Sequence, residues 1–159
     1  SGTQAFTDVV AAFGDDIVGA DGEVDRRSLG GKVFGNPEGL KKLTDIVWPA
    51  IMRMAEKEIA SAKAENPSRV VVLEAAVLIE ADWLSLVDQV WVTVVEPGVA
   101  IERASARDGV DAAAVQARID AQLSNDARIA KAHQVIHNAG DQDHLIEQIR
   151  PLWAGISAA

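Results

Sequence analysis

Val70-Val71-Val72-Leu73-Glu74-Ala75-Ala76-Val77-Leu78-Ile79-Glu80 is the stretch on which the fold turns. Its first four residues are apolar enough for the interior of a sheet, and a core strand is expected from about Arg69 to Ala75. Yet the run carries two carboxylates. Burying an acid is costly unless it is paired, hydrogen-bonded or used. Glu74 and Glu80 are therefore either structural acids with partners or part of a site.

Upstream of this run lies a long amphipathic region, from about Glu38 to Lys63. Leu40, Leu43, Ile46, Val47, Ile51, Met54, Ala55 and Ile59 make one apolar stripe at helical spacing. Pro49 sits inside it, and the missing donor predicts a kink or a two-helix corner. Asn66-Pro67-Ser68 closes the region. Before it, residues 4–13 read as a short helix with Phe6, Val9, Val10 and Phe13 on one face, stopped by Gly14. Asp21-Gly22 marks a turn. Asp25 is placed to cap a helix that ends near Phe34, before Gly35-Asn36-Pro37.

Downstream, Trp83 to Leu86 reads as a helical turn. Gln89 to Val95 is β-branched and nearly all apolar, as a parallel strand covered on both faces should be. Glu96-Pro97-Gly98 opens a helix to about Arg107, which Asp108-Gly109 breaks. Asp111 caps a further helix to Leu123, and 124–130 is one more turn or short helix. Ala132 to Ile136 is a short third strand, followed by a turn at Asn138-Ala139-Gly140. Leu145, Ile146, Ile149, Leu152, Trp153 and Ile156 form a closing amphipathic helix, interrupted or kinked near Pro151. Strands alternating with helices predict an α/β fold, a parallel sheet with right-handed crossovers, in a single domain spanning 1–159. Three strands make a thin sheet, so any missing material is expected before Ser1. Ser1 in place of Met leaves the true N-terminus open.

Composition narrows the function. The chain has 159 residues, 48% of them apolar, a formal charge of -9 and no Cys. An acidic surface is unsuited to nonspecific nucleic-acid binding and to anionic membranes. Without Cys there are no disulfides, thiolate metal sites or Cys nucleophiles, which is compatible with a reducing compartment. The longest apolar stretch is interrupted by Glu74 and Glu80, so no transmembrane helix is expected, and no signal-peptide pattern opens the chain. His133, His137 and His144 lack metal-ligand spacing, and no Ser-His-Asp set stands out. Arg103 and Arg107 lie one helical turn apart, able to face one ligand or to pair with Glu102 and Asp108 on a solvated face. Arg118 and Gln122 share the same spacing. Arg128 reads as a surface residue.

An ordered series of motifs now resembles dephospho-coenzyme A kinase, and looks most like the kinase domain of bifunctional coenzyme A synthases. The series comprises Asp21-Gly22-Glu23-Val24-Asp25-Arg26, Val33-Phe34-Gly35-Asn36, Leu43-Thr44-Asp45-Ile46-Val47-Trp48-Pro49 and Glu74 through Trp83. It continues with Glu102-Arg103, Arg107-Asp108-Gly109, Arg118-Ile119, Gln122 and Val135-Ile136-His137-Asn138-Ala139-Gly140.

The resemblance implies transfer of the γ-phosphate of ATP to the ribose 3′-hydroxyl of dephospho-coenzyme A, with Mg2+. It implies a three-layer, P-loop-kinase-like sheet, a helical substrate-binding part over about 4–65 and a lid over about 103–130. It gives Arg103 and Glu74 catalytic roles, and assigns Arg107, Arg118, Asn138 and Gly140 to the nucleotide. Trp48, Pro49 and Glu80 fall to the acceptor substrate. The arginines of successive helices are expected to converge above the sheet, and no metal is assigned a protein cage. The resemblance implies a cytoplasmic location and leaves mitochondrial association open.

The sequence departs from the family in one respect. Residues 1–159 lack the N-terminal strand, the Gly-rich phosphate loop and the acidic general base. Gly30-Gly31-Lys32 does not substitute, because Val33 follows it and Arg26 stands where the motif needs Gly. The chain is thus expected to be inactive alone, as a truncated member completed by a preceding domain or second chain. The alternative is a non-catalytic paralogue acting as a ligand-binding or partner subunit.

Overall fold

The computed structural model describes residues 1–157. They fall into two compact units, Ser1–Arg69 and the residues from Val70 onward.

The first unit is helical. α1 (Gln4–Phe13) starts at Thr3, whose hydroxyl accepts from the Phe6 amide, and stops at Gly14. A 3-10 turn follows at Asp15–Ile17. α2 (Arg26–Val33) is capped by Asp25, which accepts from the Arg27 and Ser28 amides at 2.8 and 3.2 Å. α3 (Pro37–Glu65) begins with the Asn36 side chain accepting from the Gly39 amide and Pro37 in its first turn. Pro has no intrahelical bond to lose there. α3 packs against both α1 and α2, and Val9, Ile17 and Val33 are buried. Of the kink or two-helix corner expected at Pro49, the corner is corrected: α3 runs as one helix through it over 29 residues. A proline removes one donor, and the intact hydrogen bonds of the turns on either side carry the helix across the gap.

The second unit holds the sheet. β1 (Trp91–Val94) and β2 (Gln134–His137) pair in parallel, with Trp91 opposite Gln134 and Val94 opposite His137. Between them run α4 (Pro97–Asp108), which opens with Pro97 in its first turn, and α5 (Ala112–Asp120) and α6 (Asn125–Ile129), capped by Asp111 and Ser124. Gly109 ends α4 at φ 65°, the left-handed conformation glycine adopts without a Cβ clash. α7 (Gln142–Ser157) closes the chain and passes unbroken through Pro151, which corrects the interruption expected there. Val90, Val92 and Val94 form the core, with Leu78, Ile79, Leu84, Val87, Ala132 and Val135 packed on them. This is a mixed α/β fold with a parallel sheet.

Two sequence expectations are corrected here. Residues 69–75 are not a strand: 70–74 neither give nor receive a backbone hydrogen bond among the described residues. A strand exists only by pairing, and β propensity alone does not supply a partner. Val72 is 73% exposed. Glu74 is also exposed and Glu80 half-buried, so neither acid is the buried charge that the apolar run suggested. The last strand covers Gln134–His137 rather than 132–136.

Candidate functional site

α4 and α5 pack against each other and present the arginines in two groups. Arg107 reaches its neighbour Asp108 in a fork, Nε to Oδ1 at 2.7 Å and Nη2 to Oδ2 at 3.0 Å. Arg118 of α5 completes the group, with Nη1 at 3.8 Å from Asp108 Oδ2. The hydrogen bond from Arg107 holds the Asp108 carboxyl below the usual carboxylate range, aided by the charges of Arg107 and Arg118. The same bond raises the Arg107 guanidinium. For Arg107, this is the partnership with Asp108 that helical spacing offered as its alternative reading.

Arg103 turns elsewhere. Its Nη1 donates to the Asn138 carbonyl at 2.6 Å, and Nη2 to those of Gly140 and Ala139 at 3.2 and 3.4 Å. A guanidinium carries five donors in a rigid fork, enough to gather several carbonyls of one loop. The loop is held from two more sides. The Asn138 amide donates to Val94 O at the end of β1 (2.8 Å). Gln148 of α7 binds both backbone groups of His137, each at 2.9 Å. The Asn138 side chain has no recorded partner among the described residues, while its backbone is fixed. Gly140 stands close to His144: a Cβ there would lie 3.0 Å from Cδ2.

The structure therefore joins Arg103 with Asn138 and Gly140, and Arg107 with Arg118. Arg103 and Arg118 share no partner, and neither lines the main cleft of this unit. That cleft, about 610 Å³, lies beside Thr93 and Val95 of the β1 end and is closed by residues of α4, α5 and α6, including Asn125 and Arg128, and by Gln122 of the α5–α6 connection. Its volume falls within the roughly 300–1,000 Å³ of small-molecule sites. Ligands of open parallel sheets bind beyond the carboxyl ends of the strands, where this cleft sits.

Sequence reasoning missed Asn125 and Arg128. The one signal was Ser124, whose hydroxyl accepts from the Ala127 amide and so starts a helical turn that aligns Asn125 with Arg128. Arg128 is half-buried rather than on the surface.

The remaining candidates are dispersed. Trp48 and Pro49 lie on α3 of the first unit, half-buried and exposed respectively. Lys32, of the Gly30-Gly31-Lys32 run, is committed to Phe13 O (2.5 Å) and Asp16 Oδ1 (2.6 Å), which leaves it a structural role. Asp21 accepts from the Glu23 amide and Asp25 caps α2, so both aspartates of the Asp21-to-Arg26 motif serve the backbone. No group of three acidic or imidazole side chains able to hold a metal occurs among the described residues.

A family model for dephospho-CoA kinase matches residues 1–144. The chain belongs to the dephospho-CoA kinase family. It is 37% identical to the dephospho-CoA kinase of Geobacter sulfurreducens over 153 residues, covering 96% of this chain and 77% of that one. It is 32% identical to that of Moorella thermoacetica, covering 96% and 72%. A crystal structure of a Thermus thermophilus protein superposes with a TM-score of 0.66 at 25% identity, over 92% of this chain and 72% of that one. The dephospho-CoA kinase of Campylobacter jejuni shares the fold, with a TM-score of 0.65 at 22% identity over 94% and 74%. The family places the chain among transferases of coenzyme A biosynthesis, with ATP as the expected donor.

Proposed function

We propose that this protein transfers the γ-phosphate of ATP to the ribose 3′-hydroxyl of dephospho-coenzyme A. Family membership over residues 1–144 carries the reading, and the arginine arrangement on α4 and α5 supports it. Phosphoryl transfer depends on positioning and on neutralising charge spread over phosphate oxygens. Arg107 and Arg118 are exposed and held by one shared carboxylate, so a polyphosphate with more oxygens competes for both forks. Arg103 acts from beside the loop it holds, and the uncommitted amide of Asn138 reads an adenine edge next to Gly140. Glu74 orients the acceptor hydroxyl. Trp48 and Pro49 bind the acceptor substrate on this reading, and Glu80 is assigned to the same substrate.

Magnesium fits this site as a companion of the nucleotide. No three-acid cluster among the described residues could cage the ion; exposed Glu74 is the carboxylate that would hold it beside the nucleotide. The ion would supply charge neutralisation of the phosphates.

On this reading residues 1–159 alone do not turn over, because they hold neither a Gly-rich phosphate loop nor its Lys-Ser/Thr. The reading carries a cytoplasmic location with it. The test is an assay with ATP, magnesium and dephospho-coenzyme A, comparing the gene product at its natural length with residues 1–159. Coenzyme A should form only with the former. Turnover by the 159-residue chain refutes its insufficiency. Ligand binding without turnover at natural length refutes the kinase reading in favour of a non-catalytic subunit.

A further inference from the structure

Arg128 is the half-buried guanidinium of the cleft, and most of its donors are idle. Nη2 donates to Asn125 Oδ1 at 2.5 Å. Nε is covered and has no acceptor among the described residues. No carboxylate there lies within ion-pair distance of it, although Asp120 and Asp126 line the same cleft. Asp120 is instead taken by the Gln116 amide at 2.7 Å. Asn125 in turn donates Nδ2 to Val95 O at 3.0 Å. A relay therefore runs from the carboxyl end of β1 through Asn125 to Arg128.

An unmade bond at a covered donor is costly, and a half-buried guanidinium without a counter-ion adds to the cost. Such a group persists where its partner arrives with a ligand. We propose that Arg128 is a further binding residue of the site, taking a phosphate oxygen of a nucleotide ligand, with Asn125 as its positioning residue. The choice of ligand rests on the kinase reading; the anion preference rests on the guanidinium itself. Its fork matches two oxygens of one phosphate. Asn125 keeps Nη2 in place while the remaining donors, Nε among them, turn to those oxygens.

The experiment is calorimetric titration of the natural-length protein and its R128Q, R128K and N125A variants. The ligands are ATP, dephospho-coenzyme A and inorganic tripolyphosphate, each with magnesium. R128Q should weaken at least one of them by about tenfold or more, with R128K recovering part of the loss and N125A falling between. Which ligand suffers identifies the source of the phosphate. Wild-type affinity of R128Q for all three overturns the proposal. So does an equal loss in R128K and R128Q that follows a lowered thermal midpoint, the mark of a merely structural arginine. Should R128Q fail to fold, R128K decides: weaker phosphate binding at an unchanged midpoint supports the role, and wild-type affinity removes it. Coenzyme A formation is followed in the same samples. Binding sensitive to R128Q without any conversion sinks the kinase reading and keeps this one; conversion with insensitive binding does the reverse.

Discussion

Asp108 is the residue on which two arginines converge, and its chemistry is open to titration. Its folded carboxyl titrates below the ordinary value because Arg107 bonds the charged form. The unfolded chain therefore takes up the proton first as pH falls. The contribution of Asp108 is complete above the usual carboxylate range and disappears as pH drops through the lowered folded value. D108N should lower the thermal midpoint slightly at neutrality and leave it unchanged in acid, where Asp108 is already protonated, so that the acid limb below about pH 4 is flatter. Both Asp108 and Arg107 are solvent-facing, so the effect is small and fades with salt. At Arg103 the outcome differs. R103A removes the donor of three loop carbonyls, and amide exchange at 138–140 should quicken while the amides of α5 keep their rates. An arginine that touched only substrate would leave loop exchange unaltered in the free protein.

At the scale of the element, α3 and the caps make the clearest predictions. Pro49 is exposed within a 29-residue helix, where proline disfavours the helical state by about 3 kcal/mol relative to alanine. P49A should raise the thermal midpoint, and should also raise the KM for the acceptor if Pro49 binds it. S124A removes the only side-chain cap of α6 and should lower stability by about 1 kcal/mol. The caps at Asp25 and Asp111 and the stops at Gly14 and Gly109 were legible in the sequence because they are local chemistry, settled within a turn of the residue concerned. Strand 69–75 was not, because pairing is decided by residues distant in the chain. Arg128 was missed for a related reason. A helix of five residues, Asn125–Ile129, is too short for periodicity to show which face is covered. The arginine-bearing helices were legible, but not the partners they hold: nothing local announces that Arg103 spans to residues 35–37 positions further on.

For the molecule as a whole, a charge of -9 outweighs the few ion pairs, all of which are substantially exposed on at least one side. Salt screens the mutual repulsion of the acids more than it weakens such pairs. The thermal midpoint should therefore rise on going from low salt to about one Debye length of 8 Å at physiological strength; a fall would mean that the surface pairs matter more than the net charge. The parallel ladder adds one more consequence. His137 turns its amide and carbonyl away from β1, and the Gln148 carboxamide answers both, donor to acceptor and acceptor to donor. One side chain thus imitates a neighbouring strand for a single residue. A stray polypeptide trying to lengthen the sheet across that flank meets a register already occupied at its final rung, so Gln148 is a built-in guard against edgewise accretion.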